Sequence, residues 1–189
     1  KTIIEADRVK ARQALGLQNE KVVLLMGGSQ GAKRLNEIVL NAVTRLPADI
    51  QIIHLVGLRD IGWVNDRLKN QSVKNYRAVP YAHDVSLYLA AADLVVSRAG
   101  ATALAEFLVR GLPMILIPFP YAAENHQLLN AQMVAAAGAA LLIEEKDFSV
   151  ERFISLLQDP TLDYAKMSQA AKSLSRPQAA ERIVNYIYG

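Results

Sequence analysis

A chain of 189 residues with 52% hydrophobic content and no cysteine has material for one well-buried core, and excludes disulfides, thiolate metal sites and a cysteine nucleophile. A net charge of +3 is too small to point to a nucleic-acid partner. No apolar stretch reaches the roughly 20 residues of a membrane-spanning helix and no secretory signal is read, so the expectation is a soluble single domain over residues 1–189.

The first predicted element is a short helix at 8–15, closed by Gly16. Apolar runs of strand length then recur at 22–26, 50–56, 76–79, 94–97, 114–118 and 140–143. Several are continuous rather than alternating, the pattern of strands covered on both faces. Between them, 32–45, 60–69, 84–91, 101–110 and 124–137 read as helices, with Gly111 and Gly138 as C-caps. After Phe148 only helices are expected, with Ser149 as an N-cap and Pro160 and Pro177 marking later segments. Alternating strands and helices predict an α/β fold, a doubly wound, mostly parallel sheet followed by an all-helical carboxyl-terminal segment.

In such a sheet ligands sit beyond the carboxyl ends of the strands. Four loops qualify: 27–32, 57–60, 97–101 and 119–126. The first, Gly27-Gly28-Ser29-Gln30-Gly31-Ala32, lets backbone approach a ligand closely and leads to a helix whose free N–H groups and dipole favour a phosphate. It matches neither the P-loop nor the dinucleotide fingerprint, so a hydride-transfer cofactor is disfavoured. In the second, Ser97-Arg98-Ala99-Gly100-Ala101-Thr102-Ala103 leaves room for a bulky ligand. Glu106, farther along the helix, offers a carboxylate for the vicinal hydroxyls of a ribose, or else simply complements the helix dipole. The third, Pro118 to Gln127, ends in Asn125, His126 and Gln127, whose mixed donors and acceptors suit sugar hydroxyls. His54 lies inside an apolar strand and His83 before a helix, so no metal site is read. Together the loops describe a nucleotide-sugar site.

GGSQGA followed by Leu35-Asn36, then SRAGATALAE, GLPMILIPFP and ENHQLLNA, resemble the carboxyl-terminal, donor-binding domain of the MurG family, from about Arg8 onward. These are bacterial UDP-N-acetylglucosamine transferases of glycosyltransferase family 28 that convert lipid I to lipid II in peptidoglycan synthesis. The resemblance implies the Rossmann-like carboxyl-terminal half of a GT-B fold. It implies that Gly28, Ser29, Gln30 and Gly31 hold the donor diphosphate and that the Tyr81–Ala82 backbone reads the uracil edge. Gly100, Ala101, Thr102, Ala103 and Leu104 would line phosphate and sugar, and Glu106 would take the ribose hydroxyls. Gln127, beside Asn125 and His126, would bind the GlcNAc hydroxyls. No obligatory metal or other cofactor is implied. The family's amino-terminal domain, expected to bring lipid I, the general base and contact with the inner face of the cell membrane, has no counterpart in these residues, so the domain alone is expected to bind donor without turnover. A stand-alone UDP-sugar-binding subunit needing a partner protein is the alternative. A UDP-sugar epimerase of the same fold would need its own bases here, and His126 is the obvious candidate.

Overall fold

The computed structural model describes residues 3–28, 31–69, 71 and 73–188. Six strands, β1 (Lys21–Met26), β2 (Ile50–Leu55), β3 (Tyr76–Val79), β4 (Leu94–Ser97), β5 (Met114–Leu116) and β6 (Ala140–Leu142), form one sheet in the order β3-β2-β1-β4-β5-β6. All five pairings are parallel. This is the doubly wound Rossmann order, in which the direction of winding reverses between β1 and β4 and leaves a crevice at their carboxyl ends.

Alternation along each strand builds two cores from one apolar run. Val22 and Leu24 of β1 face a layer containing α1 (Arg8–Ala14), α4 (Ser86–Ala91), α5 (Ala101–Arg110), α6 (His126–Ala136) and α8 (Tyr164–Leu174). Val23 and Leu25 face α2 (Lys33–Ala42) and α7 (Val150–Leu157). A smaller cluster of Leu40, Val56 and Val64 seats α3 (Ile61–Leu68). Each large side chain fully buried in these layers, Phe107 and Phe153 among them, contributes about 1.5–3 kcal/mol through removal from water. The last helix, α9 (Ala179–Tyr188), follows Pro177.

Most expected elements form within a few residues of their sequence bounds. Gly16, Gly111 and Gly138 close α1, α5 and α6 with positive φ, and the Ser149 hydroxyl accepts from Arg152 N at the start of α7. The differences lie mainly at ends. The helix expected over 32–45 tightens after Ala42 into a 3-10 turn, Val43–Arg45, ahead of Pro47. That expected over 124–137 begins only at His126, because Glu124 and Asn125 sit at φ 50° and 54° in a preceding 3-10 turn. β5 stops at Leu116, two residues before Pro118, which has no N–H for a ladder. Among the described residues no helix is long and apolar enough to cross a membrane.

Candidate functional site

The crevice predicted by the winding is occupied by a cleft of about 520 Å³, lined by the glycine-rich turn after β1, the start of α2, the β4–α5 turn, Phe119, Gln127 and Glu145. Its floor is Met26 and Ser97, the last residues of the two central strands, tied by the Ser97 hydroxyl donating to the Met26 carbonyl at 2.9 Å.

Two helices begin at this cleft without a side-chain cap. α2 starts after Ala32 and α5 after Gly100, and neither N-cap residue can supply a side-chain acceptor. Their first-turn N–H groups are left with no partner inside the helix, and both positive dipole ends meet at the cleft. Elsewhere α1, α7 and α8 are capped by Asp7, Ser149 and Asp163, while α3, α4 and α6 also start without a side-chain cap. The turn between β1 and α2 is closed by Gly31 N donating to Gly28 O at 3.0 Å. Gly31 requires glycine twice over, for its φ of 82° and because a Cβ would lie 2.5 Å from the Val56 carbonyl.

Glu106 lies one turn beyond Ala103 on the same face of α5 and is partly buried. Among the described residues it accepts no hydrogen bond, and burial raises its pKa above the ordinary carboxylate value. A desolvated carboxylate without a partner is poised to accept from a ligand's hydroxyls.

The Gln127 carbonyl oxygen accepts from Ala99 N at 3.3 Å and Phe119 N at 3.0 Å, joining the β4–α5 and β5–α6 loops across the cleft. Asn130 adds a second tie by donating to Ala99 O at 3.1 Å. Because both Gln127 contacts are backbone N–H groups, its amide orientation is fixed and the NH₂ is left for other acceptors.

Of the residues named from the sequence, Gly28, Gly31, Gly100, Ala103 and Gln127 line the cleft. Ala101 and Thr102 stand at the exposed start of α5. Leu104 is buried in the core, its N–H committed to Gly100 O at 3.0 Å, so it offers the ligand no side chain or amide. Asn125 lines an adjoining cavity of about 430 Å³ with Tyr121 and Lys146. His126 is exposed and lines neither cavity, its Nδ1 held 2.7 Å from the Ala123 carbonyl. Tyr81 packs edge-on to His83 at 5.1 Å and Ala82 packs against the core, both outside the cleft. Ser29 and Gln30 lie outside the described residues.

Four charged residues were not singled out from the sequence. Lys33 and Arg34 of α2 and Arg98 line the cleft with Glu145, which pairs with Arg98 and lies 4.0 Å from Arg34. Arg98 also donates to the Ile117 and Pro118 carbonyls and lies over Phe119. Glu145 follows β6, and inspection of that sixth carboxyl-end loop would have revealed it. Three cations against one carboxylate leave the cleft electropositive, as an anionic ligand requires. Among the described residues no cluster of His, Asp and Glu is arranged to hold a metal.

The family model described as the glycosyltransferase family 28 C-terminal domain matches residues 22–183. The chain belongs to this family. Among its family 28 relatives, the UDP-N-acetylglucosamine–N-acetylmuramyl-(pentapeptide) pyrophosphoryl-undecaprenol N-acetylglucosamine transferase of Desulforamulus reducens is 38% identical over 196 residues, covering 98% of this chain and 53% of the relative. The identically named enzyme of Desulfitobacterium hafniense (strain Y51) is 40% identical over 188 residues, covering 94% and 51%. The crystal structure of MurG from Acinetobacter baumannii superposes with a TM-score of 0.82 at 26% identity, covering 99% of this chain and 55% of that one. The chain thus spans about half the length of the relatives it matches. The family 28 assignment and the MurG-like fold agree with the resemblance carried by GGSQGA and SRAGATALAE.

Proposed function

We propose that this chain is the donor-binding half of an inverting glycosyltransferase that moves GlcNAc from UDP-GlcNAc to lipid I, giving lipid II for peptidoglycan. The observation that carries the reading is the convergence of two uncapped helix starts and a glycine turn on one electropositive cleft, with the desolvated Glu106 one turn along α5. The first-turn amides of α2 and α5, with Lys33 and Arg34, hold the diphosphate. Glu106 takes the ribose hydroxyls, and the free NH₂ of Gln127 faces the sugar, with Asn125 in the adjoining cavity.

The same dipoles serve chemistry. As the bond from the anomeric carbon to UDP breaks, negative charge grows on the departing diphosphate, and fixed N–H donors and cations stabilise it without reorganisation. This division of labour assigns charge stabilisation to the present chain and needs no obligatory metal. Deprotonation of the acceptor hydroxyl and docking of lipid I at the inner face of the cell membrane belong to the remaining half of the relatives' length. His126 supports no base in this half, since its Nδ1 is held by the Ala123 carbonyl and it does not line the cleft.

Calorimetric titration of the chain in the presence of EDTA tests the reading. It requires UDP to bind, UDP-GlcNAc to bind more tightly, and no sugar transfer to occur. A folded chain that takes up no UDP at millimolar concentration overturns it.

A further inference from the structure

Behind the glycine turn runs a buried polar chain that donor contact alone does not explain. Tyr76 Oη lies 2.9 Å from His54 Nδ1, and His54 Nε2 lies 2.8 Å from Asn36 Oδ1. The Asn36 amide then donates to the Val56 carbonyl at 3.0 Å and to Asp60 Oδ2 at 2.7 Å. Asn36 and His54 are 0% and 1% exposed, so all three Asn36 side-chain contacts are buried, and the half-buried Tyr76 ends the chain.

The proton positions follow from donor and acceptor chemistry. The Asn36 NH₂ is spent on Val56 O and Asp60 Oδ2, so its Oδ1 faces His54, and because an amide oxygen can only accept, His54 must hold its proton on Nε2. His54 Nδ1 is then bare, and Tyr76 donates to it. Burial lowers the His54 pKa to about 3 and raises that of Tyr76, so both stay neutral around pH 7 and the directions hold. Asp60 occupies the N-cap position of α3 yet caps nothing there, because its carboxylate is turned to Asn36.

The two oxygens that Asn36 gathers are the same two against which Gly31 is seated. A Cβ on Gly31 would meet Val56 O at 2.5 Å and Asp60 Oδ2 at 2.9 Å. An apolar filling would give this volume comparable stability, whereas a fully satisfied polar network admits a single arrangement. We propose that Asn36, locked by His54 and Asp60, is a positioning residue for the diphosphate. It fixes the seat of Gly31, and with it the start of α2 and the direction of that helix's first-turn N–H groups, without touching the ligand. Its functional consequence rests on the donor-binding reading above.

The test compares UDP with uridine, which shares the nucleoside but lacks the diphosphate, by NMR titration of the chain as it stands. In Asn36→Ala, UDP affinity should fall about tenfold, the equivalent of about 1.4 kcal/mol, while uridine affinity is unchanged. In the ligand-free variant the Gly31 amide should exchange faster with solvent while β1 amides keep their rates. His54→Leu places an apolar residue in an apolar strand and removes the donor to Asn36 Oδ1, leaving the amide held only by Val56 O and Asp60. It should show the same selective loss, reduced in size, and serves should Asn36→Ala fail to fold. Equal losses for UDP and uridine, or unchanged UDP affinity in a folded variant, overturn this inference alone. Absence of UDP binding by the unmutated chain overturns the donor-binding reading and this inference with it.

Discussion

At the amino ends of the strands a cleft of about 760 Å³ is lined by Arg8, Arg12, Lys21 and Arg110; at the carboxyl ends the glycine-lined cleft measures about 520 Å³. In the larger one each of the four cations is engaged by the protein itself, although Arg110 Nε is left without a partner among the described residues. Arg8 donates to the Ala92 carbonyl, Arg12 to those of Ala91, Gln18 and Glu20, Arg110 to those of Ile3, Ile4 and Ala6, and Lys21 to Leu157 O and Tyr164 Oη. Asp93 accepts from Arg8 at 2.5 Å, Arg12 at 3.3 Å and Val22 N at 2.8 Å. At the smaller cleft two helix starts are uncapped and, among the described residues, the Gln127 NH₂ makes no hydrogen bond; Glu106, one turn along α5 and outside the cleft lining, accepts none either. On the donor-binding reading, the property that marks the smaller cleft is the hydrogen-bonding capacity it leaves open rather than its volume.

The largest expected contrast comes from one methyl group placed at either end. Gly31→Ala brings a Cβ against a backbone carbonyl at positive φ, and should cost on the order of 3 kcal/mol of stability and abolish UDP binding. Gly16→Ala, also at positive φ but with open space around it, should cost about 1 kcal/mol and leave UDP affinity intact. Thermal unfolding and calorimetry on the pair measure both. UDP binding retained by Gly31→Ala would break the comparison.

Exchanging one carboxylate for alanine at each end sharpens it. Asp93→Ala leaves the largely buried Arg12 without its counter-charge and Val22 N without its acceptor, and should lower stability by about 2–3 kcal/mol without changing UDP affinity. Glu106→Ala should do the reverse, weakening UDP by about 1–3 kcal/mol at little cost to the fold. Since burial raises the Glu106 pKa, the fold disfavours its ionised form. Glu106→Gln should therefore be at least as stable as the unmutated chain at neutral pH, any gain vanishing as pH falls through the Glu106 pKa.

His54 gives the comparison a pH dependence. Its pKa drops from 6.5 in the unfolded chain to about 3 in the fold, so the unfolded state binds a proton that the native state refuses. Stability is unaffected above pH 6.5 and declines by about 1.4 kcal/mol per unit as pH falls toward 3. Denaturant unfolding between pH 7 and 5 should show this slope, and His54→Leu should lessen it. An undiminished slope in that variant would place the acid sensitivity elsewhere.

How far the sequence reached follows the same division. The strands were legible because burial on both faces leaves continuous apolar runs such as VVLLM, and helix ends because Gly111 and Ser149 act locally. The start of α6 was not, since Glu124 and Asn125 adopt left-handed backbone that their residue types do not advertise. Asp60 reads as a helix start, whereas its carboxylate answers to Asn36, 24 positions away. For the cleft, Gly28, Gly31, Gly100, Ala103 and Gln127 could be named as lining residues because loops at carboxyl strand ends are predictable from topology. Arg98 and Glu145 were missed because their pairing spans 47 positions and joins two loops by a contact that no local pattern encodes.

Gln127 carries the smallest and most discriminating prediction, because one side chain has two separable jobs. Its oxygen joins two loops, and its NH₂ is available to the sugar. Gln127→Ala removes both, and should lower the preference for UDP-GlcNAc over UDP by about 1 kcal/mol. Gln127→Glu keeps an oxygen for Ala99 N and Phe119 N while deleting the donors. The added charge acts on both ligands through the shared diphosphate, so the ratio of the two affinities is the quantity to compare. A ratio as low in Gln127→Glu as in Gln127→Ala assigns the sugar contact to the NH₂. A ratio restored in Gln127→Glu would make the residue a clamp between loops, and the sugar hydroxyls would have to be met from the Asn125 cavity instead.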